Sequence, residues 1–219
     1  TLGLLPGGGG IVRMVRLLGL QTALPLLLEG KQFGVAQAQS LGLIHDTADS
    51  VQQLLDKAIA WIKANPKSQQ VFDVKGYKIP GGDPKTPAVA QMLAIAPAIL
   101  RDKTKGCYPA PEAIMAAAVE GAQVDLDTAL RIESRAFTEL AIGQVAKNMI
   151  GTFWHGLNAI KSGASRPKDQ AKWQANKVGI LGAGMMGAGI AYATASKGIA
   201  VVLKDVSIEA AEKGKAYSQ

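Results

Sequence analysis

The feature that most constrains this chain lies near its C-terminus. A short apolar run, Lys177-Val178-Gly179-Ile180-Leu181, leads directly into Gly182-Ala183-Gly184-Met185-Met186-Gly187, and a small-residue helical run, Ala188–Ser196, follows. Such a pattern predicts a strand, a tight turn and a helix. Gly182 permits the turn, Gly184 removes the side chain that would keep a pyrophosphate from the backbone, and Gly187 lets the helix sit close on the strand. The free N–H groups and positive dipole end of that helix favour an anion. Gly198 then precedes a second strand, Ile199–Lys204, which ends at Asp205, eighteen residues past Gly187. A carboxylate there can accept hydrogen bonds from the adenosine ribose hydroxyls and repels a 2′-phosphate, so NAD is favoured over NADP. Lys204 works slightly against that preference. The candidate cofactor-binding residues are therefore Gly182, Ala183, Gly184, Met185, Met186, Gly187 and Asp205. The competing reading is a buried strand–turn–helix whose glycines serve packing only.

One further helix is predicted from about Ser207, giving a βαβα piece over residues 177–219. Two strands and two helices cannot cover both faces of a parallel sheet. The expectation is a truncated Rossmann domain that belongs to a longer polypeptide or borrows a neighbour. The opening Thr1-Leu2-Gly3-Leu4-Leu5-Pro6 points the same way, with no initiator Met, basic n-region or cleavage site of a signal peptide.

The remainder reads as helical. In residues 1–50, Pro6-Gly7-Gly8-Gly9-Gly10 precedes two apolar stretches, Ile11–Leu18 and Leu20–Leu28, the second closed by Gly30; Val35–Leu41 is closed by Gly42, and Leu41–Ile44 leads into a brief extended piece. Residues 51–163 form a helical region. Ser50-Val51-Gln52-Gln53 is a capping box for a helix to about Ala64, and Phe72–Pro84 is a surface loop. Thr86-Pro87 starts a helix expected to kink at Pro97, and Pro109-Ala110-Pro111 starts another ending near Gly121. Asp125 caps a long helix to about Ile160, with Leu126, Leu130, Phe137, Leu140, Ala141, Val145 and Met149 near one stripe. Glu133 and Glu139 on that helix invite reading as an acid/base pair, but are most simply exposed partners of Arg135 or Arg131. Residues 164–176 read as a linker.

Composition excludes several classes. Of 219 residues, 48% are hydrophobic and 19% charged, which excludes whole-chain disorder. No apolar run is expected to reach the ~20 residues of a membrane span. The net charge of +7 is concentrated in residues 51–110, where Lys57, Lys63, Lys67, Lys75, Lys78 and Lys85 are spread through helix and loop signals rather than clustered, so a solvated face is expected rather than a nucleic-acid surface. The single Cys107 cannot form an intramolecular disulfide, which fits a reducing, cytoplasmic setting, and is expected to be a small buried apolar side chain. His45 and His155 have no carboxylate or thiol cluster around them, so no metal site and no catalytic histidine is assigned.

Lys177–Asp205 resembles the opening of the NAD-binding domain of 3-hydroxyacyl-CoA dehydrogenases. Separately, Leu2-Gly3-Leu4-Leu5-Pro6-Gly7-Gly8-Gly9-Gly10 with Arg13, then Leu28-x-Gly30-Lys31 and Ala38-x-x-Leu41-Gly42-Leu43, resembles the C-terminal part of an enoyl-CoA hydratase (crotonase) domain. In this order, joined by helices that include Tyr108-Pro109-Ala110-Pro111, they resemble the bifunctional α-subunits of the fatty acid β-oxidation multienzyme complex. The resemblance implies a crotonase part over 1–50, a helical linker region, and an NAD domain at 177–219. It also implies an acyl-CoA substrate lined by Pro6, Gly7, Gly8 and Gly9, and a thiolase β-subunit as partner. The family's catalytic glutamates lie upstream of Leu2 and its catalytic histidine and glutamate downstream of Gln219, so no catalytic residue is carried over. Two other readings stand beside it. One is a non-catalytic dinucleotide-binding or helical interaction module; the other is a crotonase-type isomerase fused to an unrelated NAD-dependent dehydrogenase.

Overall fold

A computed structural model describes residues 2–30, 32–167, 169–170 and 173–217. Lys31 and positions 168, 171 and 172 of the expected linker lie outside the described residues. The chain divides after Ala164 into two compact units.

The first unit is helical: α1 (Gly10–Glu29), α2 (Val35–Ser40), α3 (Val51–Ala64), α4 (Pro87–Thr104), α5 (Pro109–Gly121), α6 (Leu126–Ile142), α7 (Gln144–Met149) and α8 (Leu157–Ser162). Its core forms where α1 meets α5 and α5 meets α6. Ile11, Val15, Leu20 and Leu24 of α1 bury against Ile114, Ala117 and Ala118 of α5 and Leu140 of α6. The alanines of α5 offer little bulk, so α1 can approach it closely.

The two apolar stretches expected as separate helices are the two arms of α1, joined across Gly19 at φ 76°, ψ 163°. Two contacts from the 74–86 loop explain the bend. Tyr77 Oη donates to the Arg16 carbonyl at 2.5 Å, the group that an unbroken helix would bond to the amide of residue 20. A Cβ on Gly19 would lie 2.0 Å from the Pro80 carbonyl oxygen. α1 is also long and apolar enough to cross a bilayer, with a mean hydropathy of 1.6 over an 18-residue window. Its Arg13 and Arg16 interrupt the apolar run and so mask this property in the sequence. Here its apolar side chains build the core of the unit.

Several local expectations need correction. Ser50 Oγ accepts from the Gln53 amide at 3.1 Å, but the Gln53 side chain accepts from Asp49 rather than Ser50, so the reciprocal half of the box is shifted by one residue. Thr86 does not cap α4; Asp83 accepts from the amides of Lys85 and Thr86 and organises the approach instead. α4 is assigned as one helix over Pro87–Thr104 with the exposed Pro97 inside it. Asp125 caps α6 through the Thr128 amide at 2.9 Å, yet the helix ends at Ile142 because Gly143 is extended, at ψ 149°. Helical structure resumes as α7, a π-helical stretch over Ile150–Gly156, and α8. Leu41–Ile44 forms a turn without a strand. Cys107 is exposed, its Sγ directed at the Lys105 carbonyl. The six lysines from Lys57 to Lys85 are exposed, as a solvated face requires.

The second unit holds β1 (Lys177–Leu181), α9 (Met185–Ala195), β2 (Ala200–Lys204) and α10 (Ile208–Ala216). The strands pair in parallel, Lys177 opposite Ala200 and Leu181 opposite Lys204. Ile180, Ala183, Ala188 and Ala191 are buried, whereas Leu181, Val202, Val206 and Ile208 are exposed. This two-stranded parallel pair with its crossover helix is the arrangement that begins a Rossmann fold.

Replacing Gly19 with alanine forces both an unfavourable φ and a clash with the Pro80 carbonyl. Gly19→Ala is expected to lower unfolding free energy by about 2 kcal/mol or more, read as a fall in denaturation midpoint; an unchanged midpoint would contradict the strapped bend.

Candidate functional site

The chemistry-bearing turn follows from the ladder of β1 and β2. The Gly182 amide donates to the Lys204 carbonyl at 2.7 Å, adding one rung beyond the strands. At φ 94°, Gly182 occupies the region that glycine alone enters without strain, and the chain reverses toward α9. Gly187 then packs onto the turn so tightly that a Cβ there would lie 1.7 Å from the Gly182 carbonyl oxygen. Gly184 behaves differently: it begins α9, and a Cβ built on it meets nothing within 4 Å. One glycine is needed for the fold, and the other leaves space outside it.

Asp205 completes the turn. Its carboxylate accepts from the Ala183 amide at 2.5 Å and from the Val206 amide at 2.7 Å. The end of β2 is thereby tied to the loop after β1, twenty-two residues earlier in the chain. Reading Asp205 as a ribose ligand misses this bond, although a carboxylate with about four acceptor positions retains capacity for a ligand. Ala183 is correspondingly unlike its neighbours. Its amide is occupied by Asp205 and its side chain is buried beneath α10, where a Cβ on Gly214 would lie 2.5 Å from the Ala183 carbonyl oxygen. Met185 and Met186 open α9 with exposed side chains, and the amides of a first helical turn have no acceptor within the helix. The structure thus brings Gly182, Ala183, Gly184, Gly187 and Asp205 together at one turn, with the side chains of Met185 and Met186 exposed beside it.

The geometry is that of a dinucleotide-binding βαβ turn. Residues 177–219 match the family described as 3-hydroxyacyl-CoA dehydrogenase, NAD binding domain. This segment is therefore a 3-hydroxyacyl-CoA dehydrogenase-type domain, and NAD is its cofactor. The open side of Gly184 and the acidic end of β2 fit that cofactor.

The predicted acyl-CoA residues of the first unit sit on a second glycine-rich turn. Pro6 is exposed and borders an apolar cavity of about 540 Å³, also lined by Leu2, Leu4, Leu27, Tyr108 and Met149. Gly8 is exposed, a Cβ placed on it would meet nothing within 4 Å, and its carbonyl accepts from Arg13 Nη1 at 2.8 Å. Gly7 and Gly9 face inward. A Cβ on Gly7 would lie 2.4 Å from Phe137 Cδ2, and one on Gly9 would meet both Arg13 and Leu130.

Glu133 overturns the expectation of a solvent-exposed ion pair. It is 1% exposed and accepts from the Gly9 amide at 2.5 Å and the Val12 amide at 3.0 Å. The signal is present in the sequence: Glu133 interrupts the spacing Leu126, Leu130, Phe137, Leu140 at a position that faces the core. Glu139, by contrast, is exposed. His45 and His155 are exposed as well, His45 lying 6.4 Å from the Trp61 ring. No cluster of potential metal ligands occurs among the described residues.

The Ala183 amide, and then that of Val206, hold the Asp205 carboxyl below its usual range. A lowered folded-state pKa means this bond stabilises the turn above the unfolded pKa and ceases to do so as pH falls through the folded one. A ¹³C titration of the Asp205 carboxyl is expected to give a midpoint below about 3.9; a midpoint at or above that value contradicts the bond.

Proposed function

We propose that this chain is a portion of a bifunctional fatty acid β-oxidation enzyme, hydrating trans-2-enoyl-CoA and oxidising 3-hydroxyacyl-CoA. The observation that carries the reading is the open backbone at Gly184 beside the Asp205-locked turn, within a segment that matches the dehydrogenase family. When bound, NAD supplies the hydride acceptor. The residues of this chain bind and orient it. The amides of Gly184, Met185 and Met186 receive the diphosphate, the absence of a Cβ at Gly184 permits its approach, and the outward lone pairs of Asp205 receive the ribose hydroxyls.

In the first unit, the exposed parts of Pro6 and Gly8 form a wall of the acyl-CoA site, while Gly7 and Gly9 shape that wall from behind. Support comes from the open faces of Pro6 and Gly8 and from the sequence resemblance. Neither glycine turn carries the acid, base or nucleophile of the chemistry, so residues 1–219 bind and position rather than catalyse. A thiolase β-subunit as partner and a cytoplasmic setting belong to the same reading.

A second reading, a helical interaction module, draws on one observation: α3 leaves Leu54, Leu55, Ile59 and Ile62 exposed. It expects the native protein to show no NAD-dependent turnover of 3-hydroxyacyl-CoA.

Two glycines separate cofactor contact from folding. Gly184→Val in the native polypeptide is expected to abolish NAD binding while leaving the melting temperature unchanged, whereas Gly187→Ala should lower both. Asp205→Ala should weaken NAD by about tenfold or more and narrow its preference over NADP, since a charge-assisted hydrogen bond is worth ~1.5–3 kcal/mol. Calorimetric titration provides the measurement, and wild-type NAD affinity in Gly184→Val would refute the cradle.

A further inference from the structure

We propose that Glu133 is a positioning residue for the acyl-CoA site, the group through which α6 sets the shape of the Pro6–Gly10 turn. The inference rests on the hydratase reading above and adds to it a residue more than 120 positions away in sequence. Gly9 begins α1 in a left-handed conformation, at φ 86°, and has no side chain with which to cap the helix. Four amides at the start of any helix lack internal acceptors. Glu133 supplies two of the missing acceptors from another element, one carboxylate oxygen to Gly9 and the other to Val12.

The neighbours of Glu133 complete the arrangement. Leu130, Glu133 and Phe137 share one face of α6, and all three meet the turn. Leu130 bears on Gly9, and the Phe137 ring lies against Gly7. Arg13 reaches back to the Gly8 carbonyl from within α1 itself. Gly7 and Gly9 are thus gripped from α6, which leaves the Cα of Gly8 facing outward with open space where a side chain would stand. A change in the grip would turn the outward face, and with it the surface offered to a thioester substrate. The carboxylate is suited to this task because both its oxygens accept. A glutamine would point an NH₂ group at one of the two amides, leaving that donor unpaired in a buried place.

The test compares wild type, Glu133→Gln and Glu133→Asp in the native polypeptide. Hydration of crotonyl-CoA, NAD affinity and amide hydrogen exchange over residues 6–14 are measured for each. Glu133→Gln is expected to raise KM for crotonyl-CoA by about tenfold and to accelerate exchange over residues 6–14, with NAD affinity unchanged. Glu133→Asp, which keeps two acceptor oxygens, should recover part of the KM. Wild-type KM and wild-type exchange in Glu133→Gln overturn the proposal. A wild-type protein that turns over 3-hydroxyacyl-CoA with NAD but does not hydrate crotonyl-CoA overturns the hydratase reading beneath it, whereas faster exchange with an unchanged KM leaves that reading standing and removes Glu133 from its site.

Discussion

The bond from the Ala183 amide to Asp205 organises the second unit. Without it, the turn after β1 would be a run of glycines with high backbone freedom, and ordering such a run costs more entropy than ordering any other residue type. The carboxylate offsets that cost by accepting from both Ala183 and Val206, one on each side of the parallel pair. Contact between Gly187 and the Gly182 carbonyl closes the turn from beneath, and Gly214 of α10 closes it from the side. What remains open is the backbone at Gly184, the place proposed for the diphosphate.

The first unit solves the same problem by a similar device. Its Pro6–Gly10 turn is also too flexible to hold a shape alone, and again a distant carboxylate, Glu133, accepts two amides and fixes it. Burial differs between the two. Asp205 is only half-buried, whereas Glu133 is enclosed by the core and can only shape the turn from behind. The two acids therefore serve different ends: one can both lock and bind, and the other can only lock.

Much of this is legible in the sequence because local chemistry dictates it. The strand–turn–helix at 177–205 follows from the glycine spacing, and the start and end of α5 from Pro109 and Gly121. The cap of α6 follows from Asp125, and the two arms of α1 from their apolar periodicity. What escapes depends on partners far away in the chain. Gly19 reads as a helix end until Tyr77 and Pro80 are seen against it. Asp205 reads as a ligand residue alone until its bond to Ala183 is seen, and Glu133 as a surface charge until the amides of Gly9 and Val12 are found beside it. Gly143 breaks the long helix although the apolar stripe continues across it, because periodicity records which face is buried and not whether the backbone is continuous.

The central claim is that the backbone from Gly182 to Gly187 receives the diphosphate of NAD. Titrating ¹⁵N-labelled native protein with NAD and following the amide resonances tests it most directly. The largest shifts should fall at Gly184, Met185 and Met186, with smaller ones at Ala183 and Val206 as the Asp205 bonds adjust. Saturable NAD binding that leaves those five amides unmoved would contradict it.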